Sequence, residues 1–173
     1  MRISVFLGVS VDGFIAHADG SLDFLTSFTS PGEDHGYDEL MRTVDAIVVG
    51  RETYDTVATF EPWPWQGKRV VVLTHRPITA MHGETTHAGA LTPLVAQLAA
   101  QGVQRIYLDG GRAVRCGLDE DLVDDLTLSI VPRMIGAGRP LFGTGAAKVS
   151  AWTLASTRTY ASGLVQLRYL NPR

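Results

Sequence analysis

The chain has 173 residues, 45% of them hydrophobic and 19% charged, with a formal net charge of −3. This length suffices for one domain with a full hydrophobic core, so we expect a single domain over residues 1–173. The small negative charge gives no electrostatic reason to expect nucleic acid or an anionic membrane as a partner.

Two features of the sequence indicate the cellular compartment of the protein. The single cysteine, Cys116, excludes an internal disulfide and suits a reducing environment. The apolar start of the chain ends at Asp12-Gly13 with no small-residue cleavage pattern, and no stretch approaches the ~20 apolar residues of a membrane span. We therefore expect a cytoplasmic protein with no membrane partner.

The first part of the chain predicts strands that alternate with helices. Continuous apolar runs, typical of strands buried on both faces, occupy residues 3–11, 46–49 and 69–74, and a short edge strand is predicted at 84–87. Helices are predicted at 33–44, at 52–58 and after Thr92-Pro93, where Thr92 would be the N-cap and Gly102 the terminator.

The second part predicts a change of pattern. A buried strand at 106–108 runs through two glycines into a short helix that ends near Cys116. Strands alone follow: a half-exposed strand at 125–132, a glycine-rich loop at 136–142, and a hairpin of 149–157 with 164–170. The expected fold class is α/β with three layers, a mostly parallel central sheet and an antiparallel C-terminal hairpin.

Two turns of the predicted fold share one layout, in which a buried strand meets glycine and then a helix. One is Gly110-Gly111 and the other is Gly50-Arg51. Glycine lets a ligand approach the backbone closely, and the N–H groups of a following helix attract anions, most often phosphate. One such turn is as often a packing solution as a ligand site. Two of them in one α/β domain predict a site for both ends of a dinucleotide.

Four motifs in this order carry a family resemblance that covers almost the whole chain. They are Ser10-Val11-Asp12-Gly13-Phe14-Ile15-Ala16, Gly50-Arg51-Glu52-Thr53-Tyr54, Asp109-Gly110-Gly111 and Val131-Pro132-Arg133-Met134-Ile135-Gly136-Ala137-Gly138-Arg139-Pro140-Leu141-Phe142. The chain resembles the dihydrofolate-reductase-like superfamily, and within it the branch that contains the reductase domain of the riboflavin-biosynthesis protein RibD. The last motif is the most specific to that branch.

The resemblance implies an NADPH-dependent reductase that forms a homodimer, with an apolar face of the strand Leu126–Val131 as a candidate interface. It also implies which residues contact the cofactor, in four groups. These are the nicotinamide contacts Gly8, Val9, Ile15 and Ala16, one phosphate corner of Gly50, Arg51 and Thr53, the pyrophosphate corner of Gly110, Gly111, Arg112 and Ala113, and the 2′-phosphate contacts Thr74, His75 and Arg76. An arginine pairs with phosphate through two parallel hydrogen bonds, which favours NADPH over NADH. A cis peptide at Gly110–Gly111 is carried over from the folate enzymes.

Two acids are the candidates for catalysis. Asp34 falls where dihydrofolate reductases carry their pocket carboxylate, and Asp38 follows one helical turn later on the same face. The alternative is that both are solvated acids at a helix N-terminus, where the helix dipole favours negative charge. No metal site is expected, because His82 and His87 read as surface-loop residues, and Trp63 and Trp65 are expected to plug the core.

The substrate stays open at this point because the motifs of two branches are mixed. Glu52-Thr53-Tyr54-Asp55-Thr56 is closer to the folate enzymes, whereas Phe24-Leu25-Thr26-Ser27 is closer to the riboflavin branch. The leading expectation is a reductase of a small heterocycle, similar to 5-amino-6-(5-phosphoribosylamino)uracil reductase of riboflavin biosynthesis. The alternatives are a dihydrofolate reductase and a non-catalytic NADPH-binding module.

Overall fold

A computed structural model describes residues 1–28, 34–142 and 150–173. Its central feature is an eight-stranded sheet flanked by helices on both faces, as the α/β pattern predicts. The strands, in spatial order, are β5 (Thr85–His87), β4 (Arg69–Leu73), β3 (Ala46–Gly50), β6 (Arg105–Asp109), β1 (Arg2–Ser10), β7 (Asp125–Val131), β10 (Val165–Leu170) and β9 (Thr153–Thr159). Two further short strands, β2 (Phe14–Ala16) and β8 (Arg139–Pro140), pair with each other outside this sheet.

Five helices occur in the described residues. They are α1 (Asp23–Thr26), α2 (Tyr37–Thr43), α3 (Arg51–Val57), α4 (Leu91–Ala100) and α5 (Gly111–Asp119). The helix predicted at 33–44 is shorter than expected, because Gly36 at its start adopts a left-handed φ of 89°. Glu33 and Val149, the first residues of two predicted elements, lie outside the described residues.

The first six strands in this spatial order, β5, β4, β3, β6, β1 and β7, are parallel to one another. Strand β1 lies in the interior of the sheet, with β6 on one side and β7 on the other. This position explains why nearly every residue of β1 is apolar, since both of its faces are covered. Parallel strands end at a common edge, so the turns after β1, β3 and β6 all lie at the carboxyl edge of the sheet.

The C-terminal hairpin is confirmed, with slightly shifted bounds. Strand β10 pairs antiparallel with both β7 and β9, and the turn between β9 and β10 is closed by the Gly163 N–H, which donates to Tyr160 O at 2.9 Å. Strand β9 is exposed along its whole length.

The prediction that residues 125–132 form a half-exposed strand is wrong. Strand β7 lies between β1 and β10, and five of its seven residues are buried. The alternation of polar and apolar residues reflects two different buried environments. Leu126 and Leu128 pack into the α4/α5 core, whereas Thr127 and Ser129 line the opposite face. An apolar face of this strand is therefore not free to form a dimer interface by itself.

Two hydrophobic layers lie on the two faces of the sheet. Residues of α4 and α5 cover one face, with Leu91, Leu94 and Val114 at its centre. Residues of α2 and α3 cover the other, where Trp65, 2% exposed, plugs the layer around Ile47 and Val49. Trp63 is only partly buried and stacks on His82 at a centroid distance of 4.4 Å.

Two local predictions are corrected by contacts between distant residues. Helix α4 begins at Leu91 with Ala90 as N-cap, so Thr92 is not the cap. Instead, the Glu120 carboxylate accepts hydrogen bonds from Leu91 N–H and Thr92 N–H at 2.9 and 2.8 Å. The predicted loop at 136–142 contains β8, which pairs with β2. No helix of the described residues is long and apolar enough to cross a membrane.

Candidate active site

The two glycine turns, Gly50-Arg51 and Gly110-Gly111, meet at the carboxyl edge of the sheet. We call them the first and the second glycine corner. Strands β3 and β6 are direct neighbours, and Val49 pairs with Asp109, one residue before each turn. A Cβ added to Gly110 would lie 2.6 Å from Thr53 Oγ1 and 3.4 Å from Gly50 N. The sequence-based pairing of these two corners is therefore realised in the fold, although they are 60 residues apart in the chain.

The peptide between Gly110 and Gly111 is not cis. The cis peptide in the described part of the chain is Glu61–Pro62, so the bond carried over from the folate enzymes is wrong for this protein. The tight turn is obtained instead from Gly110, which has a φ of 92° that few other residues tolerate. After this turn, the N–H groups of Arg112 and Ala113 find no acceptor within the described residues, as is normal for the first turn of a helix.

The short β2–β8 ribbon lies across the second glycine corner. The Ile15 side chain contacts Gly111 so closely that a Cβ added there would lie 2.5 Å from Ile15 Cδ1. The adjacent Ala16 is buried and pairs with Arg139 of β8. The turn before β2 is fixed by Asp12, whose carboxylate accepts from Gly136 N–H at 2.7 Å and from Ser10 Oγ–H at 2.6 Å.

The cations expected at the phosphates differ in their availability. Arg51 is already bound, because its Nε donates to Asp55 at 2.7 Å and its Nη1 to Pro77 O at 3.0 Å. Arg112 and Arg76 are exposed. At the end of β4 the Thr74 hydroxyl accepts from Arg76 N–H at 3.0 Å, which fixes the turn that carries His75 and Arg76.

The end of β1 borders a second group of residues on the α2/α3 face. Gly8 pairs with Ser129 of β7, and Ser129 pairs with Gln166 of β10, so three strands contribute one row of positions. The Leu25 side chain of α1 packs over Gly8, at 2.6 Å from a Cβ added there. Val9, the neighbouring residue, is buried on the opposite face.

Gln166 joins this row to the start of α2. Its side-chain amide donates to Ser129 Oγ at 3.0 Å and to His35 O at 2.8 Å. The His35 ring packs edge-on against Tyr160 at a centroid distance of 4.7 Å. Gln166 therefore holds the segment that carries Asp34 against the sheet.

The structure places Asp34 and Asp38 at the exposed N-terminus of α2. Asp34 Oδ1 accepts from Asp38 N–H at 3.1 Å, a capping interaction, and both residues are exposed. This is the alternative that the sequence left open, solvated acids stabilised by the helix dipole. Asp34 lies near the row through His35, so its catalytic role stays a prediction, as does that of Asp38.

A further carboxylate, Asp109, lies at the carboxyl end of β6. It directly precedes Gly110, and its carboxylate accepts a hydrogen bond from the Gly110 N–H at 2.8 Å. Two residues earlier in the strand, the Tyr107 hydroxyl donates to Phe6 O at 3.1 Å. Burial raises the pKa of Asp109 to about 6, although the hydrogen bond from the Gly110 N–H favours its ionised form. An acid with this pKa exchanges a proton near neutral pH.

Aromatic residues pack beneath Asp109 and partly desolvate its carboxylate. Tyr37 packs edge-on against Phe6 and Tyr107, with centroid distances of 5.9 and 6.0 Å, and the Trp65 indole N–H donates to the Tyr37 hydroxyl at 3.2 Å. Burial raises the pKa of Tyr37 and, more strongly, that of Tyr107, so both rings stay neutral. The sequence motif that contains Asp109 predicts no role for this carboxylate. The available signal was a carboxylate at the carboxyl end of a buried parallel strand.

The arrangement fits a phosphorylated dinucleotide. Two adjacent glycine corners, one of which opens a nine-residue helix with free N–H groups, are suited to phosphate. The end of β1 and Asp109 lie beside those corners at the same sheet edge. No group of three or more His, Cys, Asp or Glu suited to a metal occurs in the described residues.

Comparison with known proteins identifies the family to which this architecture belongs. The profile of the RibD C-terminal domain matches residues 2–166, nearly the full chain. The chain belongs to the RibD C-terminal domain family. Its strand order and antiparallel end are those of the dihydrofolate-reductase-like fold, as the sequence motifs predicted.

Individual relatives of this RibD C-terminal domain agree with that assignment. The uncharacterized protein YwjB of Bacillus subtilis is 34% identical over 142 residues, which are 80% of each chain. A solved structure from Shewanella sp. PV-4, provisionally assigned to riboflavin biosynthesis, is 34% identical with a TM-score of 0.91 over 100% of both chains. The diaminohydroxyphosphoribosylaminopyrimidine deaminase/5-amino-6-(5-phosphoribosylamino)uracil reductase of Thermotoga maritima shares the fold alone, at 10% identity and a TM-score of 0.70 over 98% of this chain and 56% of that one.

Proposed function

We propose that this protein is an NADPH-dependent reductase whose substrate is a phosphoribosylamino-pyrimidine, like that of the reductase of riboflavin biosynthesis. The observation that carries the proposal is the convergence of three features at one sheet edge. These are the paired glycine corners, the end of β1 at Gly8, and a half-buried acid, Asp109, whose pKa is raised by desolvation to about 6. Family membership supports the reductase class.

The cofactor, when bound, supplies a hydride. The glycine corners at Gly50 and Gly110-Gly111 would hold its phosphates through backbone N–H groups, and Arg76 is free to pair with a 2′-phosphate. Ile15 and Leu25 cover the corners and Gly8, so they exclude water from the edge where the nicotinamide is proposed to lie.

The acid function is proposed for Asp109. Its carboxyl group is protonated in part at neutral pH, so it can donate a proton to a ring nitrogen or carbonyl oxygen of the substrate. Ser129 and Gln166 supply hydroxyl and amide groups along the same row, and a pyrimidine carries several donors and acceptors that such groups can bind. Asp34 is retained as a proposed substrate contact at the open end of that row.

The test is a turnover assay with the purified full chain. We expect NADPH to bind and its absorbance to decline when 5-amino-6-(5-phosphoribosylamino)uracil is added, but not without substrate. Oxidation with dihydrofolate alone would instead make the protein a dihydrofolate reductase. Tight NADPH binding with no oxidation by pyrimidines, pteridines, imines or carbonyls would contradict catalysis and leave a binding module.

We further propose a cytoplasmic homodimer. The one thiol, Cys116, is exposed, which suits a reducing compartment. The interface is proposed at the antiparallel end of the sheet, where β9 is exposed throughout and Leu154 is 51% exposed. This location replaces the face of β7, which the fold buries.

A further inference from the structure

An ion pair joins the β2–β8 ribbon to the helix that follows the first glycine corner. Arg139 of β8 donates through Nη1 to the Glu52 carboxylate in the first turn of α3. The Arg139 side chain is 41% exposed and that of Glu52 is 59% exposed. An exposed pair of this kind contributes little to stability, because water and salt screen it, so its partners can exchange readily.

The two elements that carry this pair are the same two that carry or contact the glycine corners. Glu52 lies two residues after Gly50, and Arg139 is paired in the ribbon with Ala16, next to Ile15, which packs on Gly111. The guanidinium also lies near Gly20 in the loop before α1, where its Nη2 would be 3.1 Å from an added Cβ.

Arg139 is one of two cations near the corners that can change partners, the other being the exposed Arg112 of the pyrophosphate corner. Arg51, the arginine expected at this corner, is held by Asp55 and Pro77 O. Glu52 is a carboxylate at a corner proposed to bind phosphate, so it opposes an anion there unless a cation neutralises it. A phosphate accepts two parallel guanidinium hydrogen bonds and carries more charge than one carboxylate.

We propose that Arg139 contacts the pyrophosphate of the bound dinucleotide and leaves Glu52 to do so. Glu52 is then a competitor that holds Arg139 in place in the free protein. This inference rests on the proposed dinucleotide function. It adds a phosphate-binding residue from the β2–β8 ribbon, at a position to which neither the sequence motifs nor the glycine corners assigned a role.

We expect the two charge-removing variants, Arg139→Gln and Glu52→Gln, to have opposite effects on dinucleotide binding. Equilibrium titrations followed by protein and nicotinamide fluorescence give Kd for NADPH and for NADH with the full chain. We expect Arg139→Gln to raise both values by about tenfold, the loss of one strong charged contact. Glu52→Gln should lower both by roughly threefold, because the competing carboxylate is gone. The Kd of Arg139→Lys should fall between those of the unmodified protein and Arg139→Gln, since lysine keeps the charge but cannot make the two parallel hydrogen bonds of a guanidinium.

Matched controls change the same charges elsewhere. Arg69→Gln removes a cation at the start of β4, where it contacts Gln101, and Glu61→Gln removes an exposed loop carboxylate. Both should leave Kd unchanged. Thermal unfolding of each variant shows whether it is folded. If Arg139→Gln is unfolded, Arg139→Lys replaces it in the comparison.

Several results would overturn the inference. If Arg139→Gln and Glu52→Gln weaken binding alike, the ion pair is a structural latch. If Arg139→Gln binds both dinucleotides as well as Arg69→Gln does, Arg139 makes no contact. A loss confined to NADPH would assign Arg139 to the 2′-phosphate. Failure of the unmodified protein to bind either dinucleotide would overturn the proposed function as well, which separates the two failures.

Discussion

Asp109 shows how a residue acquires chemistry from its neighbours. In the sequence it is one carboxylate among 18 acidic residues. In the fold it lies above an aromatic layer formed by Phe6, Tyr37 and Tyr107, and burial outweighs the hydrogen bond from the Gly110 N–H and raises its pKa to about 6. No local pattern carries this information, because the residues that desolvate it come from distant parts of the chain.

The proposed acid role predicts a change in the pH profile. In the unmodified protein, kcat should fall as pH rises through about 6, because Asp109 loses its proton. Asp109→Asn should lower kcat roughly a hundredfold and remove that dependence. The measurement is kcat against pH, with the Kd for NADPH as the control for site integrity. An unchanged kcat and profile in the variant would exclude Asp109 as the acid.

Asp109→Asn should not lose activity by unfolding. The pKa of Asp109 is raised in the folded protein, so its ionisation opposes folding as pH rises through about 6. At pH 8 the asparagine variant is therefore expected to be at least as stable as the unmodified protein, and chemical denaturation at that pH checks the control.

Substitution of Gly110 is expected to lower the free energy of unfolding for two separable reasons. Gly110→Ala must adopt a φ of 92° and brings a Cβ to 2.6 Å from Thr53 Oγ1. Gly83→Ala is the matched control, because Gly83 has a φ of 84° and no atom within 4 Å of its Cβ position. We expect a loss of about 1 kcal/mol at Gly83 and a larger loss at Gly110 in the free energy of unfolding. Equal losses would show that the contact with Thr53 does not constrain the corner.

At the scale of elements, the sequence predicted most strands and helices because their patterns are local. The apolar runs of β1, β3 and β4 and the hairpin of β9 with β10 follow from periodicity and turn residues. The errors occur where distant residues decide. Strand β8 exists because β2 pairs with it, the burial of β7 depends on β10, and the cap of α4 comes from Glu120.

The Glu120 cap predicts a pH-dependent contribution to stability. Burial disfavours the ionised carboxylate, but hydrogen bonds from Leu91 and Thr92 outweigh it and hold the pKa of Glu120 below its ordinary value of 4.5. The stabilisation is therefore present above that value and lost as pH falls through the folded-state pKa. Glu120→Gln should cost about 1 kcal/mol at pH 7 and nothing once the carboxyl is protonated.

Denaturant unfolding at several pH values measures this effect. Asp119→Asn, at the adjacent exposed position, is the matched control and should leave stability unchanged. A Glu120→Gln cost that persists undiminished at low pH would mean that side-chain packing, rather than the charged cap, stabilises α4.

At the scale of the whole molecule, the parallel sheet is what creates the site. It brings Gly50 and Gly110 into contact and sets Gly8 and Asp109 at the same edge. The sequence predicted the pairing of the glycine corners because strands that precede glycine turns share an edge when they are parallel. It did not predict that the Gly110–Gly111 peptide is not cis or that Arg51 pairs with Asp55, since both depend on the detailed geometry of the corners.

The exposed antiparallel end predicts an assembly. In the described part of the chain, β9 is the last strand of the sheet and Leu154 is exposed, and long exposed edges favour association. We expect light scattering to give about twice the 18.7 kDa of one chain, and Leu154→Glu to shift the mass to that of a monomer. A monomer for the unmodified protein at micromolar concentration would contradict the homodimer.

Hydrogen exchange of backbone amides with and without NADPH tests the central claim most directly. The account predicts that NADPH slows exchange at Arg112 and Ala113, whose N–H groups have no acceptor in the described free chain, and in the turn from Gly50 to Thr53. Saturating NADPH that leaves both glycine corners unprotected, while slowing exchange elsewhere, would contradict it.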